Sequence, residues 1–338
     1  MDVSIIIVNW NSNDFLRDCL RSICLHPPKL AFEVIVVDNA SYDGSAAMVA
    51  KEFPNVIFIQ SSANLGFSGA NNLGYARSSG TTLLFLNPDT ELLGNCVEEM
   101  HKHLRSSAKI GAVGCRLLNS DGSTQMKYIQ AFPTIWNQFI SAEVLMRRFP
   151  RAGLWGRTAL CSGAATPFDV DVLAGSCVMI KKSVFEEVGG FNEGFFMYAE
   201  DVDLCYVVRN AGYSIQCVPS ESIVHHSGKS SSNAAESHFS SIMQRESLER
   251  FFRQRYGRMY AALYRLSTLI MALVRLGLLG IVMLFHKTAG VKSSVNKWRR
   301  ILAWSLSRAH WASTKRTATP TRTDGDTFGA SQPADRAL

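Results

Sequence analysis

No CxxC pair occurs among the eight cysteines (Cys19, Cys24, Cys96, Cys115, Cys161, Cys177, Cys205 and Cys217), so the sequence indicates neither a zinc site nor a redox dithiol. Reduced, buried thiols are the plain reading of such scatter. No GxGxxG follows the first apolar run either. The VNWNSN found there has no glycine, whereas a dinucleotide fold uses glycines to bring its backbone against a pyrophosphate. This counts against a nicotinamide-dependent oxidoreductase, and equally against a nucleotidyltransferase with a glycine-rich first loop. A leader is also wanting: VSIIIV begins directly after Asp2, leaving no room for a charged n-region and an h-region, so the chain is expected in the cytoplasm.

What is present is enough for a large core. The 338 residues are 47% hydrophobic and can bury one large core or two smaller ones. The formal charge of +7 is unevenly spread, because Arg245 to Arg316 holds fifteen Lys or Arg against two Glu, which leaves the remainder mildly acidic. A basic excess confined to one hydrophobic C-terminal stretch suits an anionic membrane surface better than a nucleic acid.

Short β-branched runs alternate with amphipathic stretches. Val3 to Val8, Glu33 to Val37, Val56 to Ile59 and Thr82 to Leu86 read as strands buried on both faces. Between them Asn13 to Cys24, Ser45 to Phe53 and Ser68 to Ser79 have helical spacing and polar starts. The rhythm predicts an α/β fold with a mostly parallel sheet and helices on both faces. Ligands of such sheets bind beyond the carboxyl ends of the strands, where Asn9, Asp38 and Asp89 fall.

Several local patterns carry chemistry, each with a plainer alternative. In VIVVDNASYDGS, Asp38 can accept hydrogen bonds from a nucleobase or ribose, while Ser41 and Asp43 can cap the next helix; a turn and a cap alone also account for it. SANLGFSGANNLGYA packs glycines with Asn64, Asn71 and Asn72, which suits a ligand approaching the backbone or a simple turn. LFLNPDT ends a strand on Asp89, a grip for a hard cation or a helix cap. EDVDLCYVVRNAG opens a helix with Glu200, Asp201 and Asp203; the helix dipole favours such acids, and three crowded carboxylates also raise one another's pKa, so that one can act as a base. In SIVHHSGKSS, His225 or His226 can complete a metal shell, with Lys229 or Ser230 meeting a diphosphate, or the pair is structural.

Taken together, VNWNS, VDNASYDGS, NLGFSGANNLG, LNPDT and GGFNEGFFMYAEDVDLC resemble glycosyltransferase family 2, in the branch of rhamnosyltransferases that use dTDP-rhamnose, over roughly Val3 to Ser232. The resemblance implies the nucleotide-binding fold called GT-A, a divalent metal (Mg²⁺ or Mn²⁺) and an inverting displacement. By position it makes Asp38 the nucleoside contact, with Asn9, Asn64, Gly66, Asn71 and Asn87 as further donor contacts. Asp89 ends the stretch that replaces the DxD metal motif, whose first acidic position is Asn87 here. Asp201 takes the role of base, with Glu200 and Asp203 beside it on the acceptor side. His225 joins Asp89 on the metal, since Gly228 completes the HxxG spacing. Val207 stands where many relatives have Arg, and Arg209 is the nearest substitute.

Beyond Ser232 the character changes. A helix is predicted from Ala234 to Arg255, then LSTLIMALVRLGLLGIVMLF from Leu266 to Phe285, about long enough to span a bilayer. Arg275 at its centre and basic flanks on both sides favour helices lying in the interface, with Trp298, Trp304 and Trp311 as anchors, over a true span or a soluble core helix. From Ala312 the composition reads as a disordered tail. The expected organisation is therefore a catalytic domain over 1–232, a helical membrane-associating region over 233–311 and a tail over 312–338. The aromatic segment Ser123 to Asp169 is the candidate acceptor site. The resulting expectation is a metal-dependent transferase at the cytoplasmic face of the plasma membrane, moving rhamnose from dTDP-rhamnose to a lipid-linked saccharide. A UDP-hexose or UDP-galactofuranose donor, or a catalytically silent membrane scaffold, are the alternatives.

Overall fold

The computed structural model describes residues 1–125, 129–140, 149, 166–226, 234–285 and 288–307. Strands β1 (Val3–Asn9), β2 (Phe32–Asp38), β3 (Ile57–Gln60) and β4 (Thr82–Leu86) alternate with helices α1 (Asn13–Leu25), α2 (Ser45–Glu52) and α3 (Gly66–Tyr75). All four strands are parallel, in the order β3-β2-β1-β4. Every residue of β1 and β4 is buried, as expected for strands covered on both faces. Each large aliphatic side chain so buried contributes roughly 1.5–3 kcal/mol.

The helix expected over Ser68 to Ser79 instead starts at Gly66 and ends at Tyr75. The chain after it is claimed by other partners. The Ser79 N–H donates to Glu33 Oε1 and the Gly80 N–H to Ser4 Oγ, so neither can continue the helical ladder.

The second half of the sheet is mixed. Here β5 (Thr90–Leu92), α4 (Cys96–Arg105), β6 (Ile110–Leu118), β7 (Ile129–Gln130), α5 (Ile135–Ile140), β8 (Phe168–Asp169), β9 (Val172–Leu173), β10 (Cys177–Lys181), α6 (Lys182–Glu187), α7 (Glu200–Asn210) and β11 (Ser214–His225) follow in turn. The sheet continues from β4 as β10-β6-β11-β5, with β8 also on β11, while β7 and β9 form a separate pair. β10 runs antiparallel to both β4 and β6, and this reversal brings Gly175 and Ser176, just ahead of it, to the rim beside the end of β4. β11 is parallel to β6 and antiparallel to β5, with three extra residues, 219–221, between Val218, opposite Cys115, and Ser222, opposite Arg116.

Three helices close the described chain: α8 (Ala234–Arg255), α9 (Arg258–Phe285) and α10 (Ala289–Leu306). Phe251 and Phe252 of α8 are fully buried in the same core as the sheet. Trp304, read from the sequence as an interface anchor, is 1% exposed. The Arg265 guanidinium stacks on its ring at 4.8 Å while donating to the carbonyls of Trp304, Ser305 and Ser307 at the end of α10. The indole therefore packs inside the helical bundle, where a cation at a helix C-terminus holds it. Trp298 is half-buried between the guanidiniums of Arg245 and Arg275. Trp311 and the predicted tail lie outside the described residues.

Candidate active site

The parallel rim is locked by side chains in lateral register. Asn9, Asp38 and Gln60 face one another across β1, β2 and β3. Asp38 Oδ1 accepts from Asn9 Nδ2 at 2.7 Å, and Oδ2 accepts from Gln60 Nε2 at 2.7 Å and the Ser41 N–H at 2.9 Å. The carboxylate is 1% exposed and engaged on both oxygens. Among the described residues Asn9 Oδ1 beside it is buried without a partner.

The loop into α3 meets the segment that precedes α7. Asn64 Oδ1 accepts from the Gly66 N–H at 2.9 Å, Asn39 bridges Leu65 and Gly66, and Asn71 Nδ2 returns to the Phe67 carbonyl. The Phe67 N–H donates to the Phe196 carbonyl at 2.8 Å. Gly66 has a φ of +74°, and a Cβ there would lie 2.4 Å from the Phe196 oxygen. Asn72 clamps the same region, donating to the Phe191 carbonyl and accepting the Phe191 N–H. Asn39 and Asn72 thus position the loop, a role that the sequence showed only as asparagine content.

Asp89 and His225 lie side by side. Asp89 Oδ1 lies 3.3 Å from His225 Nε2, and both side chains are largely buried. Gln125 decides how that imidazole is protonated. Its Nε2 donates to the His225 carbonyl at 2.6 Å, which leaves Oε1 to face His225 Nδ1 at 3.1 Å. Nδ1 must then carry hydrogen, and in the neutral ring the Nε2 lone pair points at the Asp89 carboxylate. Two acceptors so placed call for a proton or a cation between them. One carboxylate oxygen and one imidazole nitrogen are donor types that fit a divalent ion such as Mn²⁺ or Mg²⁺. Among the described residues no group of three His, Cys, Asp or Glu side chains converges to hold a metal. His226 is turned elsewhere, between Ser120 and Glu91. Lys229 and Ser230 lie outside the described residues.

The acidic start of α7 splits its three carboxylates. Tyr198 and Ala199 are both left-handed, with φ of 68° and 63°, a conformation costly for residues other than glycine. This kink turns Glu200 and Asp201 back toward the rim. Asp201 Oδ2 accepts the Gly175 N–H at 3.0 Å and Oδ1 the Val202 N–H at 2.8 Å. Burial raises the Asp201 pKa above the usual carboxylate value, while these two N–H donors oppose the rise. Burial, and then the charge of Asp201, push Glu200 up to about 8, and its Oε2 is buried without a partner among the described residues. Asp203 takes no part in this crowding. It is bound through both oxygens to Arg255 of α8, at 2.6 and 2.7 Å. The spacing that seemed to cluster three acids places Asp203 two residues past Asp201 on the helix, and so on another face. Arg209 is held by the Val170 carbonyl, with Asp171 at 3.9 Å.

One short segment ties the two chemical stations together. The Gly175 N–H holds Asp201, and the next residue's carbonyl, on Ser176, accepts the Asn87 N–H at 3.0 Å, two residues before Asp89. Among the described residues the Ser176 hydroxyl is buried there without a partner. Asp201, Asn87, Asp89 and His225 therefore share one part of the rim. Asp38 and Asn9 lie farther along it, linked through Asn39, Gly66 and Phe196.

The family model for glycosyl transferase family 2 matches residues 4–189, more than half of the chain. The chain belongs to that family. Among curated relatives, the low-salt glycan biosynthesis hexosyltransferase Agl10 of Haloferax volcanii is 30% identical over 221 residues, 64% of each chain. The N-acetylglucosaminyl-diphospho-decaprenol L-rhamnosyltransferase of Mycobacterium tuberculosis is 29% identical over 69% of this chain and 79% of its own. The rhamnosyltransferase WbbL of Escherichia coli is 26% identical over 66% and 83%. Among solved structures, the mannosyltransferase PcManGT of Pyrobaculum calidifontis, in complex with GDP-Man and Mn²⁺, aligns at a TM-score of 0.57 and 17% identity over 90% of this chain and 86% of that one. The fold is thus the GT-A fold of family 2, with its central sheet and a long apolar C-terminal helix, and the chain is a glycosyltransferase.

Proposed function

We propose that this family 2 enzyme transfers rhamnose from dTDP-rhamnose, with inversion, to a hydroxyl of a polyprenyl-diphosphate-linked saccharide at the cytoplasmic face of the membrane. Residues 1–232 form the catalytic unit in this reading, and 233–311 attach it to the bilayer. The observation that carries it is Asp201, a half-buried carboxylate with a raised pKa, aimed by the Gly175 and Val202 N–H groups. Asp201 takes the proton of the acceptor hydroxyl as that oxygen attacks the anomeric carbon and the nucleoside diphosphate departs from the opposite face. A base so positioned contributes about 10² to 10⁴ in rate. A raised pKa suits the role, because a stronger base retains more driving force for the transfer.

Asp89 and His225 would hold the divalent cation, which neutralises charge on the leaving diphosphate. Mn²⁺ in the mannosyltransferase complex supports a metal of this kind. The rhamnose donor rests on the two rhamnosyltransferase relatives, one of which acts on a decaprenol-linked substrate by its name. Asn9 and Asp38 stand at the nucleoside end, where Asp38 acts through its lock on the rim.

Thermal stabilisation across dTDP-rhamnose, UDP-galactofuranose and other UDP-hexoses, with Mn²⁺ or Mg²⁺, tests the donor. A larger shift with a UDP-sugar replaces rhamnose. No shift with any donor, together with no transfer in membrane extract, turns the reading into a silent scaffold. Asp201→Asn should lose transfer and keep the donor-induced shift, and substantial residual turnover overturns the base assignment.

A further inference from the structure

We propose that α9 and α10 dock together as an in-plane helical hairpin on an anionic bilayer, α9 lying along the interface rather than crossing it. This deepens the membrane attachment in the proposed function and uses nothing from the donor or base assignments.

Length does not decide the matter, since the 28 residues of α9 extend about 42 Å, more than a hydrocarbon core. The faces decide it. Leu263, Leu266, Ile270, Val274, Leu278 and Ile281 follow one another at steps of three and four residues, and each is 45 to 58% exposed. They form a single apolar stripe, free of charge from Met259 to Phe285. The opposite face packs on protein through Ala261, Tyr264, Thr268 and Ala272. Both arginines within this stretch turn to that side: Arg265 binds Glu249 and the end of α10, and Arg275 stacks on Trp298. A large unpartnered apolar stripe on a soluble face marks a binding surface.

The partner helix selects the orientation. Trp298 lies beside Arg275, and Trp304 lies beside Arg265, so α10 runs antiparallel along the apolar part of α9. Its exposed Lys292, Arg299 and Arg300 therefore ride at the levels that α9 would occupy inside the hydrocarbon. A spanning α9 drags these charges into the bilayer, whereas an in-plane hairpin keeps them at the headgroups with the stripe in the acyl boundary. Charge names the lipid. From Arg250 to Arg322 the sequence has fifteen Lys or Arg and no Asp or Glu, which complements anionic headgroups and repels a second copy of the same face. The stripe starts near the catalytic unit, because the Tyr260 hydroxyl accepts the Ile135 N–H and α8 binds the carbonyl of Met197 through Ser247.

Full-length protein is floated with vesicles of phosphatidylcholine alone or mixed with phosphatidylglycerol. Binding should need the anionic lipid. Joint replacement Leu266→Glu, Ile270→Glu, Val274→Glu should cut the bound fraction at least tenfold, and Lys292→Gln, Arg299→Gln and Arg300→Gln should each weaken binding about fivefold. Orientation is read in a Cys24→Ser, Cys161→Ser background with Met259→Cys or Ala289→Cys, labelled by an impermeant maleimide in right-side-out and inverted membrane vesicles. Both positions should label in the same vesicle orientation. Labelling in opposite orientations means a span and overturns the proposal. Equal binding to neutral vesicles overturns it as well, and so does a dimer in sedimentation that the glutamate variant dissolves. The dTDP-rhamnose thermal shift is followed in parallel, so that a misfolded variant or a failed donor assignment is recognised separately.

Discussion

Asp203 and Arg255, 52 residues apart, are joined through both carboxylate oxygens, and this pair fastens helix α7 to the first C-terminal helix. The Asp203 side chain is 3% exposed, so removing its partner strands a buried charge. Arg255→Met should lower stability by about 3 kcal/mol, the low end for such pairs because Arg255 itself is partly exposed. Adding Asp203→Leu should recover most of that loss. Urea unfolding of the two variants measures both effects.

The acid pair at the start of α7 makes stability depend on pH. Glu200 titrates near 8 when folded against an ordinary 4.5, so between those values the folded state keeps a proton that the unfolded chain releases. Stability therefore falls as pH rises through this window. Glu200→Gln should flatten the slope and leave the variant more stable than the parent at pH 9. Urea titrations at pH 5, 7 and 9 measure it, and an unchanged slope removes Glu200 as its source.

Gln125 sets the hydrogen on His225 from outside the proposed metal pair. Gln125→Met removes the acceptor for Nδ1 and frees the ring to carry its hydrogen on Nε2, facing Asp89. Groups that orient a metal-bound histidine are typically worth 10- to 100-fold in affinity. Mn²⁺ affinity read by electron paramagnetic resonance, without any sugar donor, should fall by about tenfold in this variant and further in His225→Ala.

Gly66 is the point where backbone meets backbone. Its left-handed φ and the 2.4 Å approach of a Cβ to the Phe196 oxygen make Gly66→Ala strained twice over. A loss of about 2–3 kcal/mol is expected, the upper end of left-handed strain. Because Phe196 leads into Tyr198 and Ala199, transfer activity should drop along with the melting temperature.

The parallel half of the sheet was legible because its strands are continuous apolar runs. Val3 to Val8 and Thr82 to Leu86 match β1 and β4 within a residue. Asp89 and His225 come together through the pairing of β11 with β5, which sets His225 opposite Thr90, and this long-range pairing was not legible in the sequence. Nor was the diversion of Asp203, because its partner lies on a helix that the sequence reads only by periodicity. Gln125 and Gly175 escaped for a related reason: each acts through its place on the mixed half of the sheet, where strands return from distant segments. Trp304 was misread because an aromatic on an amphipathic helix looks the same whether it faces lipid or a neighbouring helix. Arg265, the residue that decides, is 39 positions away.

The three extra residues in β11 have a consequence for how insertions and deletions are tolerated. Pro219, Ser220 and Glu221 separate the frame in which Val218 pairs with Cys115 from the frame in which Ser222 pairs with Arg116. Successive strand residues point to opposite sides, so a one-residue change in this spacer that shifts the second frame turns His225 to the far side of the sheet. The proposed cation grip would then be lost by an edit that alters neither Asp89 nor His225, and the spacer's length is as much a part of that proposed site as the histidine.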